Sequence, residues 1–185
     1  MINEIIKDGE ARMKTVIAST KSTYSGIRTG RANPSILDRI TVNYYGTSTP
    51  LNHLANVSAP EPRMLLIQPW DKTIIKDIEK AILASDLGLN PNNDGNVIRI
   101  SIPQLTEERR KQLVRIVKKE AEEHKIVIRN IRRDLNDTVK KLEKDGKITE
   151  DESHRYLDDV QTLTDKYIAE IDNLAAAKEE EILEV

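Results

Sequence analysis

The sequence predicts an α+β protein: an elongated, antiparallel three-helix bundle into which a small β/α/β domain is inserted. Apolar residues recur at helical spacing near both ends of the 185-residue chain, whereas six of its seven prolines fall between positions 50 and 103. With no Phe, one Trp and five Tyr, the core must consist mainly of Ile, Leu, Val and Ala, as is typical of helix–helix packing. Two helical regions therefore flank a region of strands and turns.

The first helix is predicted to begin at the amino terminus. Its apolar seam steps by threes and fours and comprises Ile2, Ile6, Gly9, Met13, Val16, Thr20, Tyr24 and Ile27. Gly30 can end a helix, and Pro34 disfavours helical backbone at Asn33. We expect one helix of about 27 residues, ~40 Å long, that ends near Gly30.

Short strands and one helix are predicted in the middle of the chain. The alternation of apolar and polar residues and short apolar runs predict strands at Ile40–Tyr44, His53–Ala59, Met64–Gln68 and Val97–Ile102. Turns are expected at Gly46 with Pro50 and at Asn92–Gly95. Asp71 is placed to cap an amphipathic helix that stops at Gly88.

Two long helices are predicted after Pro103. Thr106 can cap the first, which opens with Glu107 and Glu108 and keeps its apolar spacing to Gly146. A capping box at Thr149–Glu152 begins the last helix. The turn between these helices is so short that they must pack antiparallel.

The predicted domains follow from these elements. Residues 1–29 and 106–185 form the three-helix bundle, and residues 30–105 form the inserted domain. Two connecting strands of chain join the domains and indicate a hinge, because a glycine near paired prolines can concentrate motion. The expected hinge residues are Gly30, Ala32, Pro34, Pro103 and Leu105.

The formal net charge of −2 conceals a strong polarity along the chain. Residues 1–106 carry 12 basic and 10 acidic side chains, residues 107–133 carry 10 and 5, and residues 134–185 carry 7 and 16. A basic segment within an otherwise acidic protein favours a polyanionic partner.

Eight basic residues fall on one face of the long helix that starts after Thr106. At about 100° per residue they lie within about 60° of Arg129, opposite the apolar seam. This basic face comprises Lys111, Arg115, Lys118, Lys125, Arg129, Arg132, Arg133 and Lys140. Residues 125–133 contain no acidic residue. Few aromatics accompany the face, so a rigid rod that contacts RNA phosphates is favoured over a base-stacking platform, although a solvated helix surface is the simpler alternative.

Catalysis finds little support in the sequence. The three histidines (His53, His124 and His154) lie in different predicted elements, no glycine-rich phosphate loop occurs, and the chain has no Cys. We expect no metal site and no cofactor. No apolar stretch approaches a membrane span and no signal peptide is evident, so a cytoplasmic protein without membrane contact is expected.

Four motifs along the chain resemble those of the bacterial ribosome-recycling factor family, in order and over essentially its full length. They are IRTGRANP at 27–34, ASDLGLNP at 84–91, LTEERRK at 105–111 and RNIRRD at 129–134. The resemblance implies an L-shaped arrangement of a three-helix bundle and an inserted β/α/β domain. It also implies a monomeric translation factor that acts with elongation factor G and GTP to split the post-termination ribosome.

The resemblance further implies that the bundle binds large-subunit ribosomal RNA through its arginines. Arg132 matches the most important of them, with Arg129, Arg133, Arg28 and Arg31 alongside, and Lys125 joins them from the basic face. From the residues alone, Arg28 and Arg31 could equally neutralise the end of the first helix. An alternative function also stays open: a helical adaptor that recognises other proteins through its acidic last helix.

Overall fold

The computed structural model describes residues 1–184, and the chain divides into two compact units. The first unit comprises Met1–Arg28 and Glu107–Val185, of which Val185 lies outside the described residues, and the second unit comprises Thr29–Thr106. Four α-helices occur among the described residues: α1 (Ile2–Ser25), α2 (Ile75–Ala84), α3 (Glu107–Lys144) and α4 (Glu150–Leu183). The long helices α1, α3 and α4 belong to the first unit, and α2 lies with the strands in the second. The predicted α+β class is confirmed.

The end of α1 differs from the prediction. The helix stops at Ser25 rather than near Gly30, because its last turn tightens: the N–H of Gly26 donates to the carbonyl of Thr23, and the N–H of Ile27 donates to that of Tyr24. Gly26 itself keeps right-handed backbone, with a φ of −78°. The left-handed residue that the sequence suggested as the helix stop is Gly30, at a φ of 79°, but it lies beyond the end of the helix.

Helix α1 packs closely against α3. A Cβ on Gly9 would lie 2.5 Å from Cδ1 of Leu135, so any larger residue at this position would force the Leu135 side chain to shift. Further along, the buried Tyr24 hydroxyl donates to the carbonyl oxygen of Val117 at 2.8 Å. Burial and the nearby Glu120 carboxylate raise the pKa of Tyr24 to about 12. These contacts run in opposite sequence directions along the two helices, so α1 is antiparallel to α3.

Helices α3 and α4 form the longest pairing in the first unit. Thr149 caps α4 in a reciprocal capping box with Glu152, as predicted. Gly146, at a φ of 71°, lies in the short turn between the helices. Val117, Ile128 and Val139 of α3 and Val160, Ile171 and Ile182 of α4 are completely buried. The apolar seam of each helix is therefore turned inward, which fixes the opposite face of α3 outward.

The second unit contains two antiparallel sheets. The first pairs β1 (Thr41–Tyr44) with β2 (Thr47–Pro50), and the second has four strands, β3 (Ala55–Glu61), β4 (Met64–Pro69), β5 (Pro91–Asn93) and β6 (Ile98–Ser101), in the order β3-β4-β6-β5. Strands β2 and β5 lie where turns alone were predicted. Strand β2 has four residues and β5 has three, and both are held by backbone hydrogen bonds to a neighbouring strand. Segments this short show no alternation of apolar and polar residues from which a strand could be predicted.

The helix of the second unit begins later than its cap suggested. Asp71 accepts from the N–H of Thr73 and caps a 3₁₀ turn at Lys72–Ile74, after which α2 begins at Ile75. One face of α2 packs on the sheets with Ile78 and Ile82 completely buried. The second unit thus has its own hydrophobic core, to which Leu51, Leu65, Ile67, Ile98 and Ile100 also belong.

Candidate nucleic-acid interface

The basic face lies on the solvent side of α3, as its helical spacing predicts. Ile128, Ile131 and Leu135 are buried in the first unit, while Arg129 and Arg133 between them are exposed. Within residues 1–184, neither arginine has an ion pair or a side-chain hydrogen bond. Both exposed guanidinium groups therefore keep their N–H donors free of partners in the described residues, and each can donate to two oxygens of a phosphate.

Arg132 lies at the edge of the basic face, beside α4. Its side chain is half-buried, and its Nη1 donates to Oε1 of Gln161 at 3.4 Å. Gln161 is uncharged, so the positive charge of Arg132 is not cancelled by this contact. The structure thus brings Arg129, Arg132 and Arg133 together on one turn of α3.

The acidic residue that follows these arginines has a partner on another helix. Nη2 of Arg12 on α1 lies 3.0 Å from Oδ2 of Asp134. Asp134 is thus paired with α1, and within residues 1–184 it forms no ion pair with the neighbouring Arg133. No feature of the local sequence around Asp134 identifies Arg12 as its partner, since the two residues are 122 positions apart.

Lys125 differs from the arginines, although the sequence places it on the same face. Its Nζ pairs with Oδ1 of Asp172 on α4 and lies 3.2 Å from Oε1 of Glu122, and its side chain is only 13% exposed. The hydrogen bond to Asp172 raises the pKa of Lys125, partial burial opposes that shift, and the bond to Glu122 adds to it. The absence of acidic residues within 125–133 did not reveal this neutralisation, because the carboxylate comes from α4.

The remaining basic-face residues extend along α3 on both sides of the arginines. Arg115, Lys118 and Lys140 are exposed, and Lys111 forms an exposed ion pair with Glu107 at 3.4 Å. Exposed pairs of this kind contribute little to stability and exchange readily with other anions. The face therefore runs along most of α3, and its arginines without a carboxylate partner are closest together at Arg129–Arg133.

Arg28 and Arg31 lie outside α3. Arg28 is the last residue of the amino-terminal segment of the first unit, and Arg31 belongs to the second unit. Both side chains are exposed. They follow the end of α1 at Ser25 by three and six residues, so neither extends the helical surface of the bundle.

The expected hinge residues belong to the second unit, and several are held there by specific contacts. The N–H of Ala32 donates to the carbonyl of Pro62 at 2.7 Å, and the N–H of Ile102 donates to that of Arg63 at 2.8 Å. A Cβ on Gly30 would lie 3.1 Å from Cγ of Leu105. Both connecting segments are therefore fastened to the turn between β3 and β4.

Pro34 and Pro103 occupy different settings in these segments. Pro34 opens a 3₁₀ turn at Pro34–Leu37, which Asn33 caps by accepting from the N–H of Ser35. Pro103 is exposed and follows the end of β6 at Ser101. The fixed φ of proline stiffens each segment next to the second unit.

The fold defines a class of proteins in which a bundle of three long helices carries an inserted unit of short strands and one helix. The sequence matches the model of the family described as ribosome recycling factor over residues 20–183. No described helix is long and apolar enough to cross a membrane.

Relatives and solved structures agree with this match. The chain is 60% identical over 181 residues to the ribosome-recycling factor of Natranaerobius thermophilus, covering 98% of both chains. It is 60% identical to that of Shouchella clausii over the full length of both. A solution structure of the ribosome recycling factor matches with a TM-score of 0.79 at 43% identity, covering 100% of this chain and 98% of that one. The chain belongs to the ribosome recycling factor family, which confirms the resemblance read from its motifs.

A second matching structure comes from a complex. It describes models for the T. thermophilus ribosome recycling factor and the E. coli elongation factor G bound to the E. coli post-termination complex. That chain is 48% identical to the present one and matches it with a TM-score of 0.65, with full coverage of both.

Proposed function

We propose that this protein, acting with elongation factor G and GTP, disassembles the post-termination ribosome, and that it grips large-subunit ribosomal RNA through the basic face of α3. The observation that carries the RNA contact is the cluster of Arg129, Arg132 and Arg133, which has no carboxylate partner in residues 1–184. Elongation factor G hydrolyses the GTP in this proposal, and the present chain acts by binding. We expect it to work as a monomer in the cytoplasm.

The arrangement suits a phosphate backbone for physical reasons. Helix α3 is 38 residues long, so it forms a rod of ~57 Å that can lie along folded RNA. Each contacted phosphate releases condensed counterions, which makes binding fall steeply as salt rises. Arg28 and Arg31 are proposed as further phosphate contacts, whereas we expect Lys125, bound to Asp172, to contribute less.

The test compares Arg132→Ala with Lys141→Ala, a change of equal charge at an exposed residue of α3 that lies off the basic face. Binding to isolated large ribosomal subunits is measured across a salt series, together with thermal melting. Arg132→Ala should weaken binding about tenfold and flatten the salt slope by about one unit, with little change in melting. Equal binding losses in both variants would reduce the basic face to general surface charge.

The proposal also includes movement about the connecting segments that contain Gly30, Ala32, Pro34, Pro103 and Leu105. Because the arginines of α3 would hold the first unit on the ribosome, the force that separates the ribosomal subunits has to pass through the second unit. The left-handed backbone of Gly30 supports this role, since other residues adopt that conformation only with strain.

A reversible cross-link tests this movement. The chain has no Cys, so an engineered cysteine pair that joins the two units forms the one disulfide of the variant. We expect the oxidised protein to bind large subunits normally but to fail to split ribosomes with elongation factor G, and reduction should restore splitting. Full splitting activity in the verified cross-linked form would exclude the proposed movement.

A further inference from the structure

The contact between Arg132 and α4 suggests that the proposed RNA grip depends on a residue outside the basic face. Nη1 of Arg132 donates to Oε1 of Gln161 at 3.4 Å, and Nε2 of Gln161 donates to Oδ1 of Asp165 at 2.8 Å. The three side chains form a relay from a guanidinium, through an amide, to a carboxylate. Every donor in the relay points in the same direction, so each bond polarises the next.

Asp165 fixes which end of the Gln161 amide faces Arg132. An amide can turn its oxygen and nitrogen ends about, but an ionised carboxylate only accepts hydrogen bonds. The amide nitrogen must therefore face Asp165, one helical turn further along α4, and this leaves the amide oxygen toward Arg132. Glutamine and aspartate at this i,i+4 spacing commonly pair on a helix surface.

The charge of the residue opposite each cation distinguishes Arg132 from Lys125. Positions 161, 165 and 172 lie on one face of α4. At about 100° per residue, position 165 is turned by about 40° from position 161, and position 172 by about 20° back from position 165. Opposite Lys125 this face carries Asp172, which cancels the positive charge. Opposite Arg132 it carries Gln161, which accepts one N–H and leaves both the charge and the other donors of the guanidinium available.

We propose that Gln161 is a positioning residue for RNA binding: with its amide oriented by Asp165, it holds the Arg132 guanidinium in place without neutralising it. This inference rests on the proposed function of the basic face. A guanidinium that is already held loses less rotamer freedom when it contacts a phosphate. A carboxylate at position 161 would hold Arg132 equally well but would compete with the phosphate.

Two substitutions of Gln161 and one control make this testable by large-subunit binding across a salt series. Gln161→Glu should weaken binding about as much as Arg132→Ala and flatten the salt slope by about one unit, because Glu forms an ion pair with Arg132. Thr162→Glu, which adds the same charge at the neighbouring exposed position, is its control and should have a smaller effect. Gln161→Met, which keeps the charge and approximate size, should weaken binding about threefold with an unchanged slope.

Substitution of Asp165 provides a test in which two explanations predict opposite changes in large-subunit binding. If Asp165 acts only through its negative charge, Asp165→Ala strengthens binding to a polyanion. If it orients Gln161, Asp165→Ala weakens binding, and Asp165→Asn restores it because an amide oxygen still accepts from Nε2. Asp158→Ala removes the same charge seven residues earlier on the same face of α4 and measures the purely electrostatic effect.

The outcomes separate this inference from the proposed function. Normal binding by Arg132→Ala would overturn the positioning role and exclude Arg132 from the proposed RNA contact. Weakened binding by Arg132→Ala, together with wild-type or tighter binding by Gln161→Met and Asp165→Ala, would overturn the positioning role and leave the RNA contact standing. When Arg132→Ala is already present, adding Gln161→Met or Asp165→Ala should not weaken large-subunit binding further, because both substitutions act through Arg132.

Discussion

Lys125 and Arg129–Arg133 are neighbours on the basic face and share one segment without acidic residues, 125–133, but their surroundings differ. At Lys125, Asp172 of α4 and Glu122 of α3 bind the ammonium group. At Arg129 and Arg133, no carboxylate of residues 1–184 forms a pair, and Arg132 meets the neutral Gln161. Cationic character on a helix surface therefore depends on what the adjacent helix places opposite each residue.

The largest expected effect comes from removing both unpaired arginines. Arg129→Ala combined with Arg133→Ala should weaken large-subunit binding about a hundredfold and flatten the salt slope by about two units. Melting temperature should change little, since both side chains are exposed. A loss no greater than that of Lys125→Ala would contradict the distinction between Lys125 and Arg129–Arg133.

Removing the Asp172 carboxylate should make Lys125 contribute more to large-subunit binding, as Arg129 and Arg133 are expected to do. Asp172→Ala removes the carboxylate that pairs with Lys125, so we expect affinity for large subunits to rise about threefold and the salt slope to steepen by up to about one unit. Stability should fall by up to about 1 kcal/mol, because an ion pair is lost. Asp159→Ala, with the same charge change at another exposed site of α4, should give a smaller gain in affinity.

A smaller loss of binding is expected when Asp134 is released from α1. Arg12→Ala breaks the 3.0 Å ion pair with Asp134 and leaves its carboxylate beside Arg133. Affinity should fall about twofold, and stability by less than about 1 kcal/mol, since the pair is exposed. Arg12→Ala combined with Asp134→Ala should restore binding, whereas a persistent loss would place Arg12 itself in contact with RNA.

The smallest effect concerns stability at high pH. The pKa of Lys125 is raised in the folded protein, chiefly by Asp172, so its stabilising contribution is complete below the unfolded pKa and disappears as pH rises through the folded pKa. The difference in unfolding free energy between wild type and Lys125→Met should shrink as pH rises above 10.5, the ordinary pKa of the lysine ammonium group. The corresponding difference for Arg129→Met should stay constant as pH rises, because Arg129 forms no ion pair within residues 1–184.

Much of the fold could be read from the sequence, because its signals are local. Helical periodicity located the three long helices, and the capping box at Thr149–Glu152 set the start of α4. Strands β2 and β5 were missed, since four- and three-residue strands are formed by pairing with neighbours and leave little pattern of their own. The end of α1 was placed too late because its tight last turn at Gly26 uses right-handed backbone and needs no special residue.

The basic face, too, was only partly predictable from the sequence. By itself the sequence determined which side of α3 faces solvent and which cations share it, because both depend only on the period of one helix. Whether each cation keeps its charge was decided by the tertiary structure: Asp172, Gln161 and Arg12 come from other helices, at sequence distances that no local pattern spans. Antiparallel packing sets the register between α3 and α4, and that register places a carboxylate opposite Lys125 and an amide opposite Arg132.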